Sequence, residues 1–537
     1  MINNQVSHQR PAISGQPSAV RDQPSATNRQ LLITVFFTGL VTLAVELSAF
    51  RLFAPVFGTS NLISAVVIGL ILLYLAAGYM LGGRWADRSP YPITLYRLIA
   101  WGAFLIGLIP FLALPLLRLA RDSLQNLGNL NVALVVLAFG VTLILFAAPV
   151  TLLGCVSPFA VRLALHDVTQ SGRTVGRLYA VSTLGSFVGS FLPELFLLDW
   201  LGTRGTFVFL ALLLLALALF YLKRAALKLI WMPIGLILLL WLVPVSFSEL
   251  SGTLYQGESG YNYIQVVERN GTRYLLLNEG QGNHSVYNPH QVTTNGTWDY
   301  FTIAPFFNAP PYDPRRVQRV AIVGLAAGSI ARLYTELYGP FPIDGIEIDP
   351  KIVEVGRDYF GMTQPNLNVI VGDGRAALAN SPYRYDVIAL DAFRVPYIPW
   401  HLTTREFMQE LRDHLTPDGV VAINVGRTRT GYQMVDAMAK TAAEVFPSVH
   451  VIDVPGSFNS IVYATSQSTS LENLRANLSA MPVEPLRLIA ERALAHAHPL
   501  NPAALVFTDD RAPVERLTNE IMLNFLFGVG SGEIKLQ

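Results

Sequence analysis

Five positions in the second half of the sequence carry residue types that can do chemistry, each at the end of a short apolar run or in the turn after it. Gly324 and Gly328 bracket a turn, Gly324-Leu-Ala-Ala-Gly328, that follows the apolar run Arg319–Val323 and precedes a helical stretch, Ser329–Tyr338. A strand, a glycine turn and a helix in that order bring open backbone and free helix N–H groups to a ligand. The second run, Pro342–Ile348, carries Glu347, 19 residues beyond Gly328, with Asp349 next to it. An acid at that place can accept hydrogen bonds from the 2′- and 3′-hydroxyls of a ribose. The third run, Leu367–Val371, ends in Gly372-Asp373-Gly374, where a carboxylate can receive an adenine amino group. The fourth, Tyr385–Leu390, ends in Asp391.

The elements that position these residues follow from the pattern. Short β-branched runs alternating with amphipathic helices form a parallel sheet, and ligands bind at the carboxyl edge of such a sheet. Residues 319–425 are therefore expected to form a Rossmann-like sheet with Gly324, Glu347, Asp373 and Asp391 converging on one pocket. One acid at a strand end reads more simply as a helix cap. Four polar ends in register favour a nucleoside site. The turn lacks the third glycine of the dinucleotide fingerprint, so by itself it is a weak signal.

The rest of the chain has a different character. Of 537 residues, 52% are hydrophobic and 14% charged; soluble domains average about 25% charged. Residues 1–30 are polar and aperiodic and read as a disordered tail. Seven apolar runs follow: Leu31–Phe50, Leu62–Gly82, Ile93–Leu116, Leu130–Leu153, Leu178–Leu198, Gly205–Leu222 and Leu229–Val245. A helix needs about 20 apolar residues to cross a bilayer core, so residues 31–247 are expected to be a domain of about seven transmembrane helices. Residues 248–537 carry 22 Lys+Arg and 30 Asp+Glu; the first 247 residues carry 16 and 7. The acidic half is expected to divide into a small β-rich domain, 248–310, and a Rossmann-like domain, 311–537.

Several features carry little chemistry. The single cysteine, Cys155, excludes a disulfide framework and a Cys-rich metal centre. The nine histidines show no metal-ligand spacing, and His284 and His401 read as structural or pocket-rim residues. No basic tract points to nucleic acid. Thr508-Asp509-Asp510-Arg511 reads as a capping turn. Glu46 and Glu194 lie inside apolar runs, where an acid is costly and needs a partner such as Arg51. Gly82-Gly83-Arg84-Trp85-Ala86-Asp87-Arg88 reads as a charged cytoplasmic loop.

The strings VAIVGLAAGSIARLY, DGIEIDPKIVEVGRDYF, VIVGDGRAAL and YDVIALDAF resemble the nucleoside-binding core of spermidine synthases, the polyamine aminopropyltransferases. GYNYIQVVE, LLLNEGQGNHSVYNP, IPWHLTTREF and TDDRAPVERL extend the likeness, and GYMLGGRWADR, SPFAVRL and YAVSTLGSFVG make the chain similar to membrane-fused members of that group. The resemblance implies a multi-pass α-helical membrane domain followed by a Rossmann-like domain of the S-adenosylmethionine-dependent methyltransferase type, with a small β-domain (Tyr261–Tyr287) at its start. It implies no permanently bound cofactor and an S-adenosyl-type nucleoside as co-substrate. Asp391 takes the catalytic position, Glu347 the ribose and Asp373 with Gly374 the adenine. Gly324 and Gly328 form the turn beneath the donor, and Gln281 lies over it. Tyr263, Asp299, Tyr300 and Trp400, with Trp298 and Tyr397, are candidates for the amine pocket. Two positions depart from soluble spermidine synthases, which carry acids where this chain has Ala327 and Arg394. Carboxylates recognise a polyamine cation, so the departures favour nucleoside binding over aminopropyl transfer.

The reading is thus a membrane-anchored aminopropyltransferase-like enzyme acting on a small-molecule amine such as putrescine. The alternatives are a non-catalytic nucleoside- or polyamine-binding transporter or sensor, and a methyltransferase on the same sheet edge. The partners are the lipid bilayer, a nucleoside and an amine; a homo-oligomer is compatible with the sequence. With seven spans, Arg10, Arg21 and Arg29 share a side with Arg84, Arg88, Arg97, Arg162, Arg173, Arg177, Lys223, Arg224 and Lys228, against Arg51, Arg118, Arg121 and Arg204 on the other. The positive-inside rule then places the tail in the cytoplasm of a bacterial inner membrane and the soluble domain outside.

Overall fold

The structure is a computed structural model that describes residues 28–57, 61–126, 130–165, 171–243, 251–278, 282–392, 398–427, 431–514 and 516–517. The N-terminal part is a bundle of α1 (Asn28–Phe57), α2 (Asn61–Arg88), α3 (Pro92–Asn126), α4 (Leu130–Gly154), the short α5 (Val156–Ala164), α6 (Ser171–Leu192), α7 (Leu198–Leu222) and α8 (Trp231–Leu242). Among the described residues, six helices are long and apolar enough to cross a membrane, rather than seven. The last run shrinks to the 12-residue α8. Pro244 follows its end, and a residue before proline disfavours the α conformation; Lys223, Arg224 and Lys228 occupy a separate 3-10 turn before it. The run Gly205–Leu222 belongs to the 25-residue α7.

Glycines set the closest helix contacts and with them the helix directions. A Cβ on Gly185 would lie 2.0 Å from the Phe36 carbonyl oxygen, and one on Gly189 would lie 2.1 Å from that of Leu40, so α1 and α6 run parallel. Gly78 meets Thr151 and Gly82 meets Cys155 in the same way, so α2 and α4 run parallel. Arg204, near the start of α7, donates to the Leu239 and Leu240 carbonyls at the end of α8, at 2.9 and 3.3 Å. These two helices are therefore antiparallel and α8 returns to the level where α7 begins. At that same end Arg51 pairs with Glu194 at 2.7 Å, and Glu194 sits in a π-helical turn, Pro193–Leu197.

The second part begins with an antiparallel meander of β1 (Thr253–Glu258), β2 (Tyr263–Arg269), β3 (Thr272–Leu277) and β4 (Asn283–Tyr287). The Glu258 carboxylate accepts a hydrogen bond from the Thr203 amide at 3.0 Å, joining β1 to the turn that opens α7. That turn exists because Gly202 holds a φ of 64° and breaks the helix.

An eight-stranded sheet follows: β5 (Val320–Val323), β6 (Ile343–Glu347), β7 (Leu367–Val371), β8 (Tyr385–Leu390), β9 (Leu415–Gly426), β10 (Ser448–Asp453), β11 (Asn459–Thr465) and β12 (Ala497–His498). Its order is β12-β10-β11-β9-β8-β5-β6-β7. Strands β5 to β9 are mutually parallel and β11 is antiparallel to both neighbours. This is the Rossmann-like, methyltransferase-type arrangement. The all-apolar β5 is buried on both faces, as a central parallel strand must be. Ile322, Val387 and Tyr463 pack on one face, and Ala321, Ile388 and Phe407 on the other. Ile264, Val266 and Leu275 of the meander pack on Ala327, Ile352 and Phe360, docking it over the glycine turn.

The glycine contacts make a direct prediction. Gly185→Val forces the α1–α6 contact apart and is expected to destabilise the bundle by about 1–3 kcal/mol. Gly176→Val, where an added Cβ meets nothing within 4 Å, is expected to be near neutral. Thermal unfolding of both variants in detergent checks this.

Candidate active site

The strand order reverses between β5 and β8, and their carboxyl ends open the crevice where such sheets bind ligands. Gly324 ends β5 with φ 87°; a Cβ there would lie 2.5 Å from the Asp391 carbonyl oxygen. The Asp391 amide donates to the Val323 carbonyl at 2.8 Å. The two chains touch backbone to backbone, so only glycine fits. Gly328, φ 88°, is the residue before helix α9 (Ser329–Tyr338) and abuts Met362.

Glu347 ends β6 on the same edge and is buried. Its Oε2 accepts from the Ala326 amide at 2.9 Å and its Oε1 from the Asp349 amide at 3.1 Å. Burial raises its pKa above the ordinary value, and these amides oppose the rise. Neighbouring Asp349 is fully buried in a structural role. It caps α10 (Pro350–Tyr359) through the Lys351 amide and takes Ser259 Oγ at 2.5 Å and Asn262 Nδ2 at 3.0 Å from the meander.

Asp373 caps α11 (Gly374–Ala379) through the Ala376 amide, so the plain capping reading holds for one of its oxygens. The other oxygen lies 2.9 Å from His401 Nε2. Burial works against its charge, but the Ala376 amide and His401 outweigh it and hold the carboxyl below the usual range. Gly374 is pressed against Val323, whose Cγ1 would sit 2.5 Å from an added Cβ.

Asp391 has two side-chain donors. Trp298 Nε1 donates to Oδ2 at 3.0 Å and Asn424 Nδ2 to Oδ1 at 2.8 Å. Asn459 Nδ2 in turn donates to Asn424 Oδ1 at 2.8 Å, which fixes which way the Asn424 amide faces. Burial pushes the Asp391 carboxyl up to about 7, against the pull of both donors. A carboxylate near neutrality, held in one orientation at a ligand-binding edge, has the properties of a general base.

The structure brings Gly324, Gly328, Glu347, Asp373, Gly374 and Asp391 to one sheet edge. It does not bring the four amine-pocket candidates together there. Tyr263 is buried within the meander and donates to Gln256 of the neighbouring strand; it lies on the opposite strand face from Ile264 and Val266, which meet the Rossmann-like domain. Asp299 is buried and accepts from the Thr294 amide and hydroxyl, both at 2.8 Å, as a loop anchor. Tyr300 is buried in the core and its carbonyl accepts from Tyr463. Trp400 is exposed beside His401, at the rim near Asp373. Gln281, Arg394 and Tyr397 lie outside the described residues. Ala327 is buried against the meander and its amide donates to Ser285 Oγ at 2.9 Å. Asp509 pairs with Arg375 and accepts from Thr404, a clasp between the C-terminal turn and the sheet edge. Asn424 was not legible as a site residue, although it is the one polar residue in the apolar strand Val420–Val425 and falls near its carboxyl end.

The Spermine/spermidine synthase domain matches residues 307–475. A probable polyamine aminopropyl transferase of Bifidobacterium longum is 30% identical over 281 residues, covering 49% of this chain and 61% of that protein. A polyamine aminopropyltransferase of Vibrio vulnificus is 31% identical over 245 residues, covering 44% of this chain and 78% of that protein. The chain belongs to the polyamine aminopropyltransferase family. It spans about three fifths of the Bifidobacterium relative. The solved probable spermidine synthase of Corynebacterium glutamicum aligns with 48% of this chain and all of its own at 20% identity and a TM-score of 0.37. The matched aminopropyltransferase domain contains Gly324, Glu347, Asp373 and Asp391. Trp298 lies just before it, in the 3-10 turn Thr297–Phe307.

The contact at Gly324 sets a test on binding alone. Gly324→Ala places a methyl against the Asp391 carbonyl at a positive φ, and is expected to weaken binding of an adenosyl-type nucleoside at least about tenfold, or 1.4 kcal/mol. Ala326→Gly, at a position with φ 47°, is expected to retain binding. Calorimetry distinguishes the two.

Proposed function

We propose that the chain is a membrane-anchored aminopropyltransferase acting on decarboxylated S-adenosylmethionine and an amine such as putrescine. The observation that carries this reading is the Asp391 carboxyl, fixed by Trp298 and Asn424 at the crevice between β5 and β8. Glu347 holds the ribose and Asp373 the adenine amino group. The amine nitrogen attacks the carbon beside the sulfonium, the C–S bond breaks, and neutral methylthioadenosine leaves. Asp391 takes the proton that the attacking nitrogen releases. Positioning the two reactants supplies most of the rate, and the base adds about 10²- to 10⁴-fold.

The departure at Ala327 bears on the substrate. A buried alanine packed under the meander offers no carboxylate to an ammonium group, which favours an acceptor or donor less cationic at that end. Incubation of purified protein with decarboxylated and with ordinary S-adenosylmethionine, each with a panel of amines, tests the reading. Methylthioadenosine is the expected product. S-adenosylhomocysteine alone would make the chain a methyltransferase, and binding without either product a sensor.

Asp391→Asn is expected to lower turnover at least about 100-fold while nucleoside affinity stays near wild type. The rate should rise with pH through about 7 as Asp391 loses its proton. Trp298→Phe removes a donor that favours the charged form, so its pH–rate curve should move to higher pH. The raised pKa also has a stability consequence. A carboxyl whose folded pKa lies above its unfolded value of about 3.9 favours the folded state at low pH, and that contribution is lost as pH rises through about 7. Asp391→Asn should therefore gain thermal stability over wild type as pH increases from 4 to 8.

From the charge bias, and separately from the enzyme reading, we propose that the bundle lies in a bacterial inner membrane with the N-terminal tail cytoplasmic, α8 making the last return to the level where α7 begins. The contact of Glu258 with Thr203 and the cluster of Arg84, Arg88, Arg97, Arg162, Arg173 and Arg177 at the other end support a soluble domain outside. Protease added to sealed spheroplasts is expected to cut the soluble domain; survival until lysis would place it inside.

A further inference from the structure

At the end of the bundle remote from β1, two hollows adjoin at Trp85. One, of about 550 Å³, is lined by Leu81, Arg84, Arg88 and Leu152 among others. The second, of about 450 Å³, is lined by Arg97, Leu98, Trp101 and Leu105. Trp85 and Leu152 belong to both. The walls combine leucine and tryptophan side chains of α2, α3 and α4 with Ser89, Thr94, Thr151 and Cys155, and three arginines, Arg84, Arg88 and Arg97, are part of the lining.

The neighbouring acid does not neutralise them. Asp87 pairs with Arg162 at 3.4 Å, which ties the end of α2 to α5. Among the described residues Arg84, Arg88 and Arg97 have no carboxylate partner. Trp85, Trp101 and Leu81 are about half exposed, so the hollows open sideways toward the surface that faces lipid when the bundle is in a bilayer.

These features select one class of ligand. A polyamine or another cation is repelled by three arginines. A small soluble anion satisfies the arginines but leaves the leucine and tryptophan walls uncovered. An amphiphile with an anionic head and an acyl chain satisfies both, and basic hollows between transmembrane helices at the cytoplasmic face are suited to such head groups. We propose that the two adjoining hollows bind an anionic phospholipid, with its phosphate near Arg84, Arg88 and Arg97 and the upper part of a chain along the shared Trp85 and Leu152. The motif Gly82-Gly83-Arg84-Trp85-Ala86-Asp87-Arg88 then has a physical logic. Gly82 allows close packing on Cys155, Asp87 pairs with Arg162 of α5, and Arg84, Trp85 and Arg88 line the hollow.

The experiment uses the full chain in nanodiscs of phosphatidylcholine containing a minor fraction of either phosphatidylglycerol or brominated phosphatidylglycerol. Native mass spectrometry after detergent extraction is expected to show phosphatidylglycerol retained over phosphatidylcholine by at least tenfold. The triple variant Arg84→Gln, Arg88→Gln, Arg97→Gln is expected to lose that preference. Brominated phosphatidylglycerol is expected to quench a component of tryptophan emission that is missing in Trp85→Phe. Methylthioadenosine binding by calorimetry serves as the folding control. Where the triple variant does not fold, the quenching measurement on the wild type and Trp85→Phe decides. Equal retention of the two lipids, retention unchanged in the folded triple variant, or no Trp85-dependent quenching would overturn the proposal. Displacement of the lipid by millimolar inorganic phosphate would overturn it in favour of a soluble-anion site.

Discussion

The contact between the Gly324 backbone and the Asp391 carbonyl is the constraint on which the site depends. Two parallel strands ending side by side must send their chains in opposite directions, and at β5 and β8 they do so at backbone contact distance. A side chain at Gly324 would hold them apart. With none there, the glycine turn folds under the crevice and the Ala326 amide reaches Glu347. Asp391 stays tucked against β5, deep enough for burial to lift its pKa toward neutrality. The raised pKa of the carboxyl is thus a consequence of a backbone packing requirement.

Desolvation alone would leave Asp391 free to rotate and protonated at too high a pH. Trp298 and Asn424 reach different oxygens of the carboxyl, one from the 3-10 turn before the sheet and one from β9, and each donates a hydrogen bond that favours the charged form. Asn459 orients Asn424 from β11. The antiparallel insertion of β11 beside β9 therefore matters chemically. It puts the start of one strand next to the end of the other, so that two asparagines can meet.

A second line of hydrogen bonds runs from the bundle to the Glu347 side of the crevice. Thr203 binds Glu258, and the next residue, Ser259, binds Asp349; the Asp349 amide binds Glu347, and Glu347 binds Ala326 of the glycine turn. Every link is short in sequence or within one hydrogen bond in space. The small meander is the piece that joins the two halves, held below by Glu258 and above by the packing of Ile264 and Val266 on Ala327. The same packing accounts for alanine at position 327, where a carboxylate would be buried among aliphatic groups at a cost that only a bound cation offsets.

Much of this was legible from the chain itself. Apolar runs of four to six residues, each followed by a glycine or an acid and alternating with amphipathic helices, pointed to parallel strands with a shared edge, because the central strands of such a sheet are buried on both faces. Long uncharged stretches specified the helical bundle for the equally local reason that backbone groups in an apolar medium must pair within a helix. What tertiary structure decided were the partners. The tyrosine, aspartate and tyrosine at 263, 299 and 300 were candidates for the amine pocket, yet their side chains turn into the meander, a loop and the core. Asn424, 33 residues beyond Asp391, turns toward it. Periodicity tells which residues are buried; it does not tell which buried polar groups meet, since that depends on strand order, and strand order is set by packing across the whole sheet.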